Sequence, residues 1–309
     1  MKRFFWGKYM KKTLFVLAAA AVTAQVFAFD PEAALKPATS VGEYTKIDYQ
    51  ITEKFGDYYR SPRAKYVHNF DSTGRETEAT ELTSKDALVD HITYKYEGDN
   101  LVERVCTDAD GKISWKMTTV YENGNKVEES EYNAVNTLTN KTIWKYNGNQ
   151  IDESYYNADG ALLSKIITKN DDQNRVSEIA QYAAQGNLEE KAIYTYNDAG
   201  KLSEISYINT SGNQSRKVVY RFDASYQITE EQTYNSDNKL IVRVIYKYDA
   251  SGNIIKTTTY NVAEKFGTTV NELAGIAEYL WGTSTKPAGA APASAPAAAP
   301  RSTSMSDAK

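Results

Sequence analysis

The chain repeats itself every 24 to 26 residues. A triplet of an aliphatic residue, any residue and an acid recurs as Leu101-Val102-Glu103, Val127-Glu128-Glu129, Ile151-Asp152-Glu153, Val176-Ser177-Glu178, Leu202-Ser203-Glu204 and Ile228-Thr229-Glu230. Ile254-Ile255-Lys256 keeps the spacing without the acid. Such regularity marks one supersecondary unit in tandem, each copy burying its apolar face against the next. A weaker copy lies upstream, where Phe70-Asp71-Ser72-Thr73-Gly74 is similar to Tyr248-Asp249-Ala250-Ser251-Gly252.

Each unit carries two turn signals. One follows an aromatic residue, as in Tyr121-Glu122-Asn123-Gly124 and Tyr196-Asn197-Asp198-Ala199-Gly200, and the other resembles Asn157-Ala158-Asp159-Gly160. Gly, Asn and Asp accept the positive φ that tight hairpins need. Between the turns run segments such as Lys217-Val218-Val219-Tyr220-Arg221-Phe222, in which apolar and charged residues alternate as in a half-buried strand. The spacing therefore predicts an all-β fold of tandem antiparallel β-hairpins over residues 66–261, laid out as a meander sheet or an open spiral.

Lys116, Lys141, Lys165, Lys191, Lys217 and Arg243 follow Glu103, Glu129, Glu153, Glu178, Glu204 and Glu230 by 12 or 13 residues. The midpoint of each pair falls on a turn, so acid and base are expected to face each other across every hairpin as a structural charge ladder. Tyrosines take the opposite parity, which makes one face aromatic and aliphatic and the other charged. The first strand of each unit breaks this rule: Leu202 and Glu204 have one parity, Ile205 and Tyr207 the other. A bulge or strong twist is expected there. The row Tyr96, Tyr121, Tyr146, Tyr196, Phe222 and Tyr248 is the candidate binding surface for glycan rings or an extended peptide; its plain alternative is core packing.

Residues 1–28 hold five basic residues and no acid, then the apolar run Leu14–Val22 and Val26-Phe27-Ala28. That is the pattern of a secretory signal peptide, with Met10 as a second candidate start. Its removal takes the formal charge from −4 to −9, so bulk attraction to nucleic acid is not expected. No later run is long enough for a membrane helix. Residues 29–65 are expected to cap the first repeat, with a leading strand near Tyr44–Ile51. Thr269-Val270-Asn271-Glu272 followed by Leu273, Ile276, Ala277 and Leu280 reads as a capping box opening an amphipathic helix over 262–281. Residues 282–309 read as a Pro/Ala-rich disordered tail.

Two histidines and one cysteine leave few parts for metal, thiol or imidazole chemistry. Neither a catalytic residue nor a metal ligand nor a cofactor is assigned, and Cys106 is expected to be an inert, partly buried thiol. The segments Tyr194-Thr195-Tyr196-Asn197-Asp198-Ala199-Gly200-Lys201-Leu202 and Tyr246–Ile254 resemble the YD repeats of RHS-type bacterial surface and toxin proteins. Tyr121–Glu129 resembles the related MORN-variant repeats. The resemblance implies hairpins wound into an open sheet or spiral in an exported protein, with carbohydrate or protein binding in some members. The expected function is a non-catalytic scaffold of the cell envelope or surface, with an envelope protein or glycan as partner. One alternative is a transmembrane outer-membrane β-barrel of about 14 to 16 strands, against which Arg221, Glu231 and Lys247 count. The other is a carboxylate-dependent hydrolase.

Overall fold

The hairpins form as the repeat predicts, and many of their turns are held by the same local chemistry. At the turn after Phe70, the Asp71 Oδ1 accepts the backbone N–H of Thr73 at 2.8 Å and of Arg75 at 3.0 Å. The same two bonds recur at Asp108, Asn197, Asn209, Asp223, Asn235 and Asp249. A glycine such as Gly74, at φ +79°, closes the turn where a side chain would be strained.

Beside these turns the register slips. Thr195 pairs with Glu204 but Tyr196 pairs with Leu202, so Ser203 is an extra residue. Its hydroxyl donates to the Thr195 carbonyl at 3.0 Å. Thr77, Ser177 and Thr229 do the same to Asn69, Lys169 and Arg221. In these copies the middle residue of the repeated triplet is therefore a bulge. It explains how Leu202 and Ile205 reach the same face despite their odd spacing.

A computed structural model describes residues 42–282 as 18 antiparallel strands with no helix among them. β1 (Gly42–Lys54) and β2 (Asp57–Phe70) are long; β3 (Glu76–Thr83) through β16 (Leu240–Tyr248) have 8 to 10 residues; β17 (Ile254–Lys265) and β18 (Thr268–Gly282) are long again. Each strand pairs with the next, and β18 pairs with β1 from Glu43↔Gly282 to Tyr49↔Ile276. The sheet thus closes into a barrel. This corrects the open meander or spiral and, with it, the YD/RHS-type reading of the repeat. It favours the barrel alternative over an open binding scaffold, with 18 strands in place of 14 to 16.

The closing strand is the segment expected to be a capping helix. Leu273, Ile276, Ala277 and Leu280 mimic helical spacing, but strand partners are available in β17 and β1, with both sides paired over Ile276, Ala277 and Glu278. Ala277 and Tyr279 are buried in the wall. The expected N-terminal cap likewise supplies β1 and most of β2, so Tyr44–Ile51 is a barrel strand rather than a lid. Tyr44 anchors the seam: its ring lies 4.5 Å from His68 and 4.9 Å from Trp281, and the Trp281 Nε1 donates to the Ile254 carbonyl at 2.7 Å. The signal segment, residues 29–41 and the tail beyond Gly282 lie outside the described residues.

The charge ladder is present in part, displaced by one pair. Glu178 stands opposite Ile193 while Ala180 stands opposite Lys191, so acid and base meet diagonally. Lys191–Glu178 is 3.3 Å, Lys217–Glu204 3.9 Å and Arg243–Glu230 2.6 Å. Lys141 and Lys165 take Glu128 and Asp152 instead of Glu129 and Glu153, because the tight turns at Asn123-Gly124 and Gly148-Asn149 shift the phase. Lys116 lies over the Tyr132 ring, 5.0 Å from its centroid, away from Glu103.

Lys191→Glu should destabilise the fold by about 1 kcal/mol, as expected for a partly exposed pair, and adding Glu178→Lys should restore part of the loss in chemical denaturation. Asp71 gives a pH test. Burial raises its pKa, but the bonds from Thr73 and Arg75 outweigh that and hold it at about 2. Its contribution is then present above the unfolded carboxylate value of about 4 and lost as pH falls toward 2; Asp71→Asn should flatten acid unfolding in that window.

Candidate binding surface on the inner wall

Which face of the wall looks inward follows from its slant. A walk across the strands from Ile179 passes through Ala192, Tyr207 and Arg216 to Asn235. It starts at the fourth residue of β11 (Val176–Ala183) and ends at the last residue of β15 (Ile228–Asn235). The constant hand of sheet twist converts this climb into the direction in which strands follow one another around the barrel. The chirality of L-residues then sends inward those side chains whose own N–H and C=O pair across odd-to-even hairpins. Ala79, Ile92, Ala192, Tyr194, Tyr196, Val218 and Tyr220 belong to that set. Glu178, Lys191, Glu204, Lys217, Glu230 and Arg243 face out.

The inner face is mostly apolar. Ile166, Ile179, Ala192, Ile205, Tyr207, Val218 and Tyr220 form one buried cluster over β10 (Leu162–Asn170) to β14 (Gln214–Phe222). A second joins Tyr44, Tyr246, Ile254, Ala277 and Tyr279 across the seam, and a third joins Ala79, Ile92 and Cys106. Each cluster follows neighbouring strands along the wall. An 18-stranded barrel has a backbone diameter on the order of 30 Å, too wide for its own side chains to fill.

One sector of the inner wall is charged. Between β5 (Asn100–Asp108) and β9 (Gln150–Asn157), Glu129 is only 8 % exposed. It accepts bonds from Lys126 at 2.8 Å, Arg104 at 3.1 Å and Thr119 at 3.3 Å. The Lys126 ammonium sits 4.2 Å from the Trp144 ring centroid, and Tyr155 donates to Glu153 at 3.2 Å. Two of the expected ladder acids, Glu129 and Glu153, thus belong to this inner patch. The sequence hides the switch because one residue of phase moves a side chain from one face to the other.

The aromatic row has a structural role. Tyr121, Tyr146, Tyr196 and Tyr248 each donate to the carbonyl 20 residues earlier, at Leu101, Lys126, Val176 and Ile228, at 2.7 to 3.2 Å. Tyr96 and Tyr196 lie under the guanidinium groups of Arg75 and Arg175. Tyr196 and Phe222 also line a groove of about 470 Å³, with Tyr194 and Tyr226 beside them. Tyr226 adopts φ +59° and is 53 % exposed, in a turn position held elsewhere by Gly, Asn or Asp. Nothing in the repeat pattern marks it. Cys106 is a free thiol, more deeply buried than the partial burial expected. Among the described residues no group of three or more His, Cys, Asp and Glu could hold a metal ion.

No family model and no curated protein matches the chain. Among solved structures, it is similar to a porin-like protein from Bacteroides uniformis at 12 % identity and TM-score 0.43, covering 80 % of this chain and 98 % of the other. A porin-like protein from Bacteroides vulgatus matches at 14 % identity and TM-score 0.33, covering 67 % and 98 %. At these scores the closed wall itself remains the basis for the fold.

Arg104→Met should cost about 3 kcal/mol, since it leaves Glu129 buried with fewer partners. Adding Glu129→Gln should recover much of this in thermal unfolding.

Proposed function

We propose that the protein is a non-enzymatic envelope barrel that shelters an apolar or amphipathic small molecule in its lumen while its charged outer wall faces water. The distribution of polarity across the closed wall carries this reading. Ile166, Ile205, Val218 and Tyr220 line the inside, and the Glu–Lys and Glu–Arg pairs ring the outside. A ligand with an apolar body finds the groove lined by Tyr194, Tyr196, Phe222 and Tyr226, which is backed by the buried cluster over β10 to β14, and a polar end finds the Arg104–Lys126–Glu129 patch. Sites of this composition, apolar with a few convergent polar groups, are those that bind small molecules. Glycan rings are the alternative occupant of the groove beside Tyr196 and Phe222.

Closure and an even number of strands favour the alternative given from the sequence, an outer-membrane β-barrel. Apart from the two long seam hairpins, whose ends run beyond the β1–β18 ladder, the wall has no free edge, which immersion in lipid requires. The two readings differ in what touches the outer wall.

The test is twofold. N-phenyl-1-naphthylamine should brighten on adding the protein, and Phe222→Asp should weaken that response roughly ten-fold by placing a charge in the apolar groove. In fractionated cells the protein should be released with the soluble envelope contents. A protein that stays in the membrane pellet until detergent is added, and whose gel mobility changes on heating, is instead the membrane-spanning barrel.

A further inference from the structure

The two hairpins at the seam are longer than all the others and end in the same four residues. β1 and β2 have 13 and 14 residues, β17 and β18 have 12 and 15. Their tips read Glu53-Lys54-Phe55-Gly56 and Glu264-Lys265-Phe266-Gly267. The β1–β18 ladder stops at Tyr49↔Ile276. Beyond it each hairpin continues as its own two-stranded ribbon, from Gln50↔Ser61 to Lys54↔Asp57 and, past the last β16 pair at Val242↔Asn261, from Val262↔Asn271 to Lys265↔Thr268. Both ribbons leave the same rim of the barrel from adjacent positions in the wall.

The residue at each tip is one that the turn does not ask for. Phe55 and Phe266 adopt φ +56° and +51°, followed by Gly56 and Gly267 at +86° and +75°. Asn123-Gly124 makes the same tight turn at +51° and +79° with the residue such turns favour. A bulky side chain at positive φ is strained, and here the strain brings no burial in return. Phe55 and Phe266 are 106 % and 105 % exposed. Tyr58 and Tyr59 stand on the first ribbon at 42 % and 54 % exposure. An unfavourable, fully exposed phenylalanine that occurs twice in an identical setting indicates a contact outside the chain.

We propose that the paired tips dock the protein on a lipid bilayer, with Phe55 and Phe266 entering the boundary between headgroups and acyl chains. A convex tip with one ring at its apex suits a soft, apolar layer better than it suits a shaped protein pocket. Lys54 precedes the first ring, and a lysine stem can follow an apolar ring while its ammonium stays with headgroup phosphates. Lys265 is ion-paired with Glu272 on its own ribbon, and Glu53 and Glu264 add negative charge, so entry of the rings dominates over lipid charge. Two tips on one rigid wall act together, and the second insertion follows the first at high effective concentration. The proposal stands whatever the lumen holds.

Flotation of protein purified from the cell envelope tests it, with vesicles of phosphatidylethanolamine and phosphatidylglycerol and with pure phosphatidylcholine. The protein should float with both. Phe55→Asn with Phe266→Asn should lower the bound fraction on the order of ten-fold per ring removed. Because asparagine suits the turn, this variant should unfold at the same or a higher temperature and keep the naphthylamine response. Phe55→Trp should show blue-shifted emission on vesicles. Equal flotation of the asparagine double variant overturns the proposal, as does failure of the unmodified protein to float, including the case where the tips bind an envelope protein instead.

Discussion

The antiparallel pairing of β18 with β1 sets the terms for everything else in this molecule. A meander of 18 strands left open would carry two bare edges, each a row of unpaired backbone groups able to recruit another chain. Joining them removes both edges at once and gives the wall two distinct sides. The seam is where the aromatic packing around Tyr44 concentrates, with His68, Phe70, Tyr279 and Trp281 in contact with its ring. Those rings come from the first two strands and the last. Neither end of the chain resembles the repeat between them, because they supply the closing contacts.

Within the wall, stability comes from repetition of small devices more than from a large core. An Asp or Asn opens a turn, a Ser or Thr fills a bulge, and in four units a tyrosine hydroxyl ties the unit to the carbonyl of the one before. Each contributes modestly, on the order of 1 kcal/mol for a hydrogen bond. The apolar clusters follow the wall around, and the outer ion pairs sit at partial exposure where such pairs are weak. The inner apolar side chains pack against their neighbours along the wall and are themselves buried.

The hairpin unit, its turns, its bulge and the two-sided polarity were all legible in the spacing of Leu202, Glu204, Ile205 and Tyr207 and their counterparts. Closure was not, since no local signal distinguishes the edges of an open sheet from edges that meet. The end segment misled for a physical reason: Leu273, Ile276, Ala277 and Leu280 satisfy a helical period, and only the two waiting partners make a strand the better outcome. The ladder was read one pair out of register because bulges and two-residue turns change phase without changing repeat length. That slip hid the inner Arg104–Lys126–Glu129 patch. Tyr226 and the two tip phenylalanines break the turn rules singly, so periodicity passes over them.

The most direct measurement is the distance between spin labels at Thr45 and Leu280, placed on single cysteines in a Cys106→Ala background. The two positions are directly paired across the seam. A closed barrel predicts a short separation, within about 20 Å including the label arms, where paired strands are about 5 Å apart. An open sheet or spiral would put its first and last strands roughly 80 Å apart at that spacing. A distance distribution near that value would contradict the closed wall and every conclusion drawn from its two faces.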